Sequence, residues 1–164
     1  MEREKVQPAD GMGSEEVTGE LQLVSFKIGS EEFGIDILKV QEIIRMVEIT
    51  RVPQAPVYVE GVINLRGRVI PIIDLRKRLK LELKEADKNT RIVVVDISGN
   101  IMGMIVDSVS EVLRLPAGTI EPPPDLVSGV ECEHISGVAK LEDRLLMFLD
   151  LSKIVGAEEL AEIA

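Results

Sequence analysis

Residues 61–75 read Gly61-Val62-Ile63-Asn64-Leu65-Arg66-Gly67-Arg68-Val69-Ile70-Pro71-Ile72-Ile73-Asp74-Leu75, and the chain repeats this stretch 76 positions later as Gly137-Val138-Ala139-Lys140-Leu141-Glu142-Asp143-Arg144-Leu145-Leu146-Met147-Phe148-Leu149-Asp150-Leu151. Six of the fifteen positions are identical, and most of the others keep their polarity. Each copy reads as two extended runs joined by a tight turn, with Gly67 free to adopt the positive φ that such a turn needs. Upstream, at an offset of 69, Gly34, Val40, Glu42 and Arg45 meet Gly103, Val109, Glu111 and Arg114, while Ile37, Ile43 and Ile44 meet Val106, Val112 and Leu113. Repetition on this scale is a property of architecture. Two similar modules follow one another, and the places where they differ point to function. The sharpest difference is Asn64-Leu65-Arg66-Gly67 against Lys140-Leu141-Glu142-Asp143.

Composition narrows the function classes. Modules of about seventy residues bury too little surface to stand alone, so the two copies of this 164-residue chain are expected to share a core. A net charge of −10 argues against nucleic acid or an anionic membrane as partner. The absence of Trp and a single Tyr leave no stacking platform for bases. One cysteine, Cys132, cannot form an internal disulfide, and no apolar N-terminal stretch marks a signal peptide, so the expected location is the cytoplasm. Apolar runs such as Val69–Ile73 fall far short of the roughly 20 residues needed to span a bilayer, and no direct membrane insertion is expected.

Along the chain, residues 1–19 are polar and without period, which predicts a disordered leader. Val24, Phe26 and Ile28, then Phe33, Ile35 and Ile37, alternate with polar or small residues around Gly29-Ser30, as in a half-buried hairpin. From Ile37 the spacing lengthens to Val40, Ile43, Ile44 and Val47, which predicts a short helix. Val52-Pro53-Gln54-Ala55-Pro56 is an extended connection. The second module repeats the scheme over 91–97, 101–106 and 107–113 before its own hairpin at 137–151. The reading is a mainly β protein, two small barrels packed together with one brief helix per copy, the first over about 21–90 and the second over about 91–151. Residues 75–87 and 116–124 read as surface connections, and Ser152 as the cap of a C-terminal helix over 152–164.

Catalytic equipment is not recognisable. Cys132 and His134 are two residues apart, but two ligands make a poor zinc site, and an incidental cysteine beside a loop histidine is the plainer reading. Asp74 and Asp150 occupy equivalent places after apolar runs, where capping is the expected duty. Gly11-Met12-Gly13 lacks the context of a nucleotide fingerprint. No metal and no cofactor are expected, and a binding protein is the better reading than an enzyme.

Two surfaces are candidates for binding. Arg66, at the hairpin tip, offers a planar fork of donors to a partner, and the other copy has no arginine in that turn. The basic run 76–80 reads instead as a solvated helix face. Val40 and Ile43 suggest an apolar face beside the other module, where a partner helix docks, although all four apolar residues of that segment could equally be core.

Val62-Ile63-Asn64-Leu65-Arg66-Gly67-Arg68-Val69-Ile70-Pro71-Ile72-Ile73-Asp74-Leu75-Arg76, with Phe33-Gly34-Ile35-Asp36-Ile37 and Val52-Pro53, resembles the CheW-like coupling proteins of bacterial chemotaxis over about residues 20–155. The resemblance implies two five-stranded SH3-like β-barrels sharing a hydrophobic core, without catalytic activity. It implies an adaptor between the cytoplasmic tip of chemoreceptors and the regulatory domain of the histidine kinase CheA, a monomer recruited into rings with that kinase. A scaffold of another CheA-like kinase system is the alternative. By position, the resemblance puts receptor contacts on Val24, Ile37, Val40, Ile43 and Val109, and kinase contacts on Val52, Pro53, Val57, Asn64, Arg66 and Gly67. The leader through Gly19 lies outside the resemblance, and the loop 122–134 is read as particular to this chain.

Overall fold

The computed structural model describes residues 19–122 and 134–154. Alternating apolar residues and tight turns give β1 (Glu20–Ile28), β2 (Glu31–Asp36), a one-turn 3-10 helix η1 (Ile37–Lys39) and β3 (Val40–Arg45). β4 (Val59–Leu65), β5 (Arg68–Asp74) and a four-residue helix α1 (Leu75–Arg78) complete the first copy. The second supplies β6 (Arg91–Ile97), β7 (Asn100–Val106), β8 (Ser108–Pro116), η2 (Ala117–Thr119), β9 (Ile120–Glu121), β10 (Ile135–Lys140), β11 (Leu145–Leu149) and α2 (Leu151–Ile154).

The sheets do not follow the repeat boundary. One sheet has the order β8-β1-β2-β11-β10-β9, the other β3-β6-β7-β5-β4. Each copy therefore gives its first hairpin to the other: β1 and β2 complete barrel A with β8–β11, while β6 and β7 complete barrel B with β3–β5. The expected division into 21–90 and 91–151 is corrected accordingly, because strand pairing ignores chain order. The exchange is sealed by two matching parallel pairings, Phe33 and Gly34 beside Met147 and Phe148, and Gly103 and Met104 beside Ile72 and Ile73.

Closure uses the same device twice. Thr50 exchanges backbone hydrogen bonds of 2.9 and 2.8 Å with Val62, joining the run after β3 to β4. In barrel A, β9 pairs with β10 through Glu121 and Val138, the position equivalent to Val62. Gly61 makes this approach possible: at φ +149° a Cβ there would lie 2.1 Å from the Thr50 carbonyl oxygen.

The segment 37–47 is not the expected helix. After η1 it is the edge strand β3, paired with β6. A bulge lets Val40 face Val95 and Ile43 face Val93, so two residues three apart share one sheet face, while Glu42 and Ile44 face Val94 and Ile92 on the other. The bulge reproduces helical spacing in a strand, and β-branched Val40, Ile43 and Ile44 suit the strand better. In β8 the pairs Phe26–Val109 and Val24–Val112 repeat the arrangement, so the expected helix over 107–113 is also a strand.

The main core draws on both barrels. Phe26, Phe33 and Ile35 of barrel A and Val93, Met102, Met104 and Ile73 of barrel B belong to one buried cluster. Phe26 and Phe33 stack at 6.0 Å. Asp74 and Asp150 cap the two short helices as expected, accepting from the N–H groups of Arg76 at 2.9 Å and Ser152 at 3.1 Å. Asp150, not Ser152, is thus the cap, and the C-terminal helix beyond Ile154 lies outside the described residues, as do leader residues 1–18 and loop residues 123–133. The run 76–80 is no solvated face: Arg76 and Leu79 are buried. No helix among the described residues is long and apolar enough to cross a membrane.

Candidate functional site

The β4–β5 hairpin is built around Asn64, whose side-chain oxygen accepts from the Gly67 N–H at 2.8 Å. Arg66 and Gly67 both take positive φ, 54° and 85°, the geometry that matches strand twist in a two-residue turn. For a non-glycine residue this conformation costs about 1–2 kcal/mol. It aims Arg66 back over the sheet, where Nη2 donates to Glu42 Oε1 at 2.7 Å and Nη1 donates to Oε2. The hydrogen bond from Arg66 holds the Glu42 carboxyl below its usual range, and the same bond raises the guanidinium. With 70% of the Arg66 side chain exposed, the pair contributes little to stability but presents an oriented cation.

Val52, Pro53, Val57, Asn64, Arg66 and Gly67 are all exposed. They form two groups. The antiparallel Thr50–Val62 bridge directs Val52, Pro53 and Val57 toward the start of β4, whereas Asn64, Arg66 and Gly67 lie at its end.

The contrast drawn from the second turn is corrected by the fold. Arg144, the repeat equivalent of Arg68, donates Nη2 to Glu111 at 3.1 Å, Nε to Glu32 at 2.5 Å and Nη1 to Asp143 at 2.9 Å. Glu111 is the repeat equivalent of Glu42, so both barrels carry an arginine–glutamate clasp at the same place. Barrel A draws its arginine from just after the turn instead of from its tip, and three carboxylates surround it.

The residues expected to meet a receptor gather on the shared core. Ile37, Val40 and Val109 are half-buried against it, and Val24 is buried beneath. Ile43 stands on the Val40 face of β3 and is 40% exposed. Its repeat equivalent Val112 is 53% exposed on β8, and Leu38 of η1 is 83% exposed. Neither Leu38 nor Val112 stood out as a site residue in the sequence, although the offset of 69 that pairs Val40 with Val109 also pairs Ile43 with Val112. Val40 and Ile43 belong to barrel B, Val24 and Val109 to barrel A.

Between the barrels lies a charged crosspiece. Arg76 Nε donates to Asp107 Oδ1 at 3.0 Å and Nη2 donates to Oδ2, which also accepts from the Gly29 N–H at 2.7 Å. Burial pushes the Asp107 carboxyl up, but Arg76 and the Gly29 N–H outweigh it, leaving a net shift downward. Arg78 lies 4.6 Å from the Tyr58 ring centroid, and its Nε donates to the Ile154 carbonyl. His134 is fully buried instead of occupying a surface loop, and Cys132 lies outside the described residues. Among the described residues no group of three or more His, Cys, Asp or Glu side chains is placed to hold a metal.

Comparison with known proteins agrees with this geometry. The model of the CheW-like domain matches residues 22–159. A chemotaxis protein CheW of Klebsiella aerogenes is 40% identical over 140 residues, covering 85% of this chain and 84% of that protein. One of Treponema pallidum is 35% identical over 149 residues, covering 88% of each. The crystal structure of the scaffolding protein TtCheW from Thermoanaerobacter tengcongensis superimposes with a TM-score of 0.80 at 35% identity, covering 86% of this chain and 96% of that one. With its paired SH3-like barrels and the family pattern running through nearly every described residue, the chain belongs to the CheW-like domain family.

Proposed function

We propose that this protein is a non-enzymatic chemotaxis adaptor that works in the cytoplasm and couples the cytoplasmic tips of chemoreceptors to the regulatory domain of the histidine kinase CheA. The observation that carries the reading is the likeness, over most of both chains, to proteins named as chemotaxis CheW and to a scaffolding protein of known structure. The two surfaces support it. The kinase-facing set, Val52, Pro53, Val57, Asn64, Arg66 and Gly67, is exposed and confined to barrel B. The receptor-facing set, Ile37, Val40, Ile43 and Val109 over Val24, is apolar, as packing against a helical hairpin requires. Receptor state reaches the kinase only if these contacts differ between signalling states.

Calorimetric titration of the full chain into the regulatory domain of CheA from the same organism tests the reading. One-to-one binding by the wild type, lost in a folded Arg66→Ala variant, is expected. No binding by folded wild type overturns it.

A further inference from the structure

We infer that the Arg76–Asp107 ion pair sets the angle between the two barrels, which makes Arg76 a positioning residue for the receptor groove, whose walls come from both. The inference rests on the receptor surface proposed above.

The chain passes between barrels at two repeat-equivalent crossings: from β2 through η1 to β3, and from β7 through Asp107 to β8. At the second crossing the Asp107 N–H donates to the Lys27 carbonyl at 3.0 Å, and its carboxylate accepts from Gly29, tying it to the β1–β2 turn of barrel A. From the side of barrel B, Arg76 grips both carboxylate oxygens and also donates to the Glu82 carbonyl. The two side chains are only 10% and 18% exposed, so water competes weakly with a planar fork of fixed direction.

At the first crossing the repeat equivalents of Asp107, Arg76 and Gly29 are Leu38, Ser152 and Ser98. Leu38 points to solvent, while Ser98 and Ser152 line a cleft of about 290 Å³ together with Asp36, Ser136 and Asp150. One crossing is clamped by a buried fork; the other has Leu38, Ser98 and Ser152 in the equivalent places, none of which can form an ion pair, and its cleft is lined also by Lys39, Phe148 and Leu149. Of the two crossings, the clamped one therefore holds the angle, alongside the tie that Arg78 makes from the same helix to the Ile154 carbonyl. Ile37 and Val40 flank the open crossing, and Val109 follows the clamp by two residues, so a change of angle displaces one groove wall against the other. The kinase-facing residues all lie in barrel B and move with it as a unit.

The test uses the full chain on a Cys132→Ser background with spin labels at Arg68→Cys in barrel B and Lys140→Cys in barrel A. Arg76→Lys keeps the charge but loses the fork; the neutral pair Arg76→Met with Asp107→Asn serves should the lysine variant fail to fold. The expected result is a broadened or shifted inter-barrel distance distribution. In the unlabelled variants, affinity for a receptor-tip fragment should fall at least tenfold while affinity for the kinase regulatory domain stays within about twofold. Unchanged distances in folded variants, or equal loss toward both partners, overturns the inference. Failure of wild type to bind either partner overturns the proposed function, and the distances still decide whether Arg76 sets the angle.

Discussion

Glu42 and Glu111 occupy the same place on the edge strands β3 and β8, and each accepts hydrogen bonds from an arginine of the hairpin that belongs to its own barrel. The clasps differ in what surrounds them. Among the described residues Arg66 has Glu42 alone as a carboxylate partner within hydrogen-bond reach, whereas Arg144 also holds Glu32, whose side chain is 6% exposed.

That difference separates two alanine variants. Arg66→Ala should leave stability nearly unchanged, because an exposed ion pair contributes little, while abolishing kinase binding. Arg144→Ala leaves the buried Glu32 carboxylate without its guanidinium and should lower stability clearly more than Arg66→Ala does. Denaturant unfolding of both variants checks the order, and equal losses would show that the buried carboxylate does not matter.

Glycine substitutions should rank by what a Cβ would meet. Gly61→Ala forces a Cβ against the Thr50 carbonyl at the seam that closes barrel B, and about 2–4 kcal/mol of stability should be lost. Gly67→Ala keeps a positive φ of 85° but meets nothing within 4 Å, so a loss of about 1–2 kcal/mol is expected. Thermal melts of the two proteins compare them directly.

Val40→Glu places a charge on the half-buried apolar face of β3. Affinity for a receptor-tip fragment should drop at least tenfold, with kinase binding retained, as read by parallel titrations. Val112→Glu should act in the same direction, since Val112 repeats the position of Ile43 on the opposite edge strand.

Acid should unlock the inter-barrel pair. The folded Asp107 carboxyl sits below its ordinary value, so its contribution is complete above about pH 3.9, the unfolded value, and is lost as pH falls through that value toward the folded one. Asp74 has the opposite sign: burial raises it, against the N–H of Arg76, so the protonated form is favoured and that advantage is lost as pH rises through the folded value. Unfolding midpoints from pH 7 down to about pH 2.5 should show a flattened acid limb in Asp107→Asn. Asp74→Asn, which still caps the helix, should be neutral or stabilising at pH 7.

By itself the sequence determined the mainly β class, the duplication, the tight turn at Arg66-Gly67, the capping aspartates and the family, because these rest on local preference and on short motifs that the chain states twice. It misassigned 37–47 and 107–113, since a bulge at an edge strand and a turn of helix leave the same spacing of Val40 and Ile43, and of Val109 and Val112. Only the tertiary structure decided which hairpin completes which barrel, because the parallel pairing of Phe148 beside Gly34, or of Ile72 beside Gly103, joins residues far apart in the chain and leaves no periodic trace. The same exchange buried Arg76 against Asp107 and brought Arg144 to Glu111. A basic run or a lone arginine carries no local sign of the carboxylate that long-range packing sets opposite it.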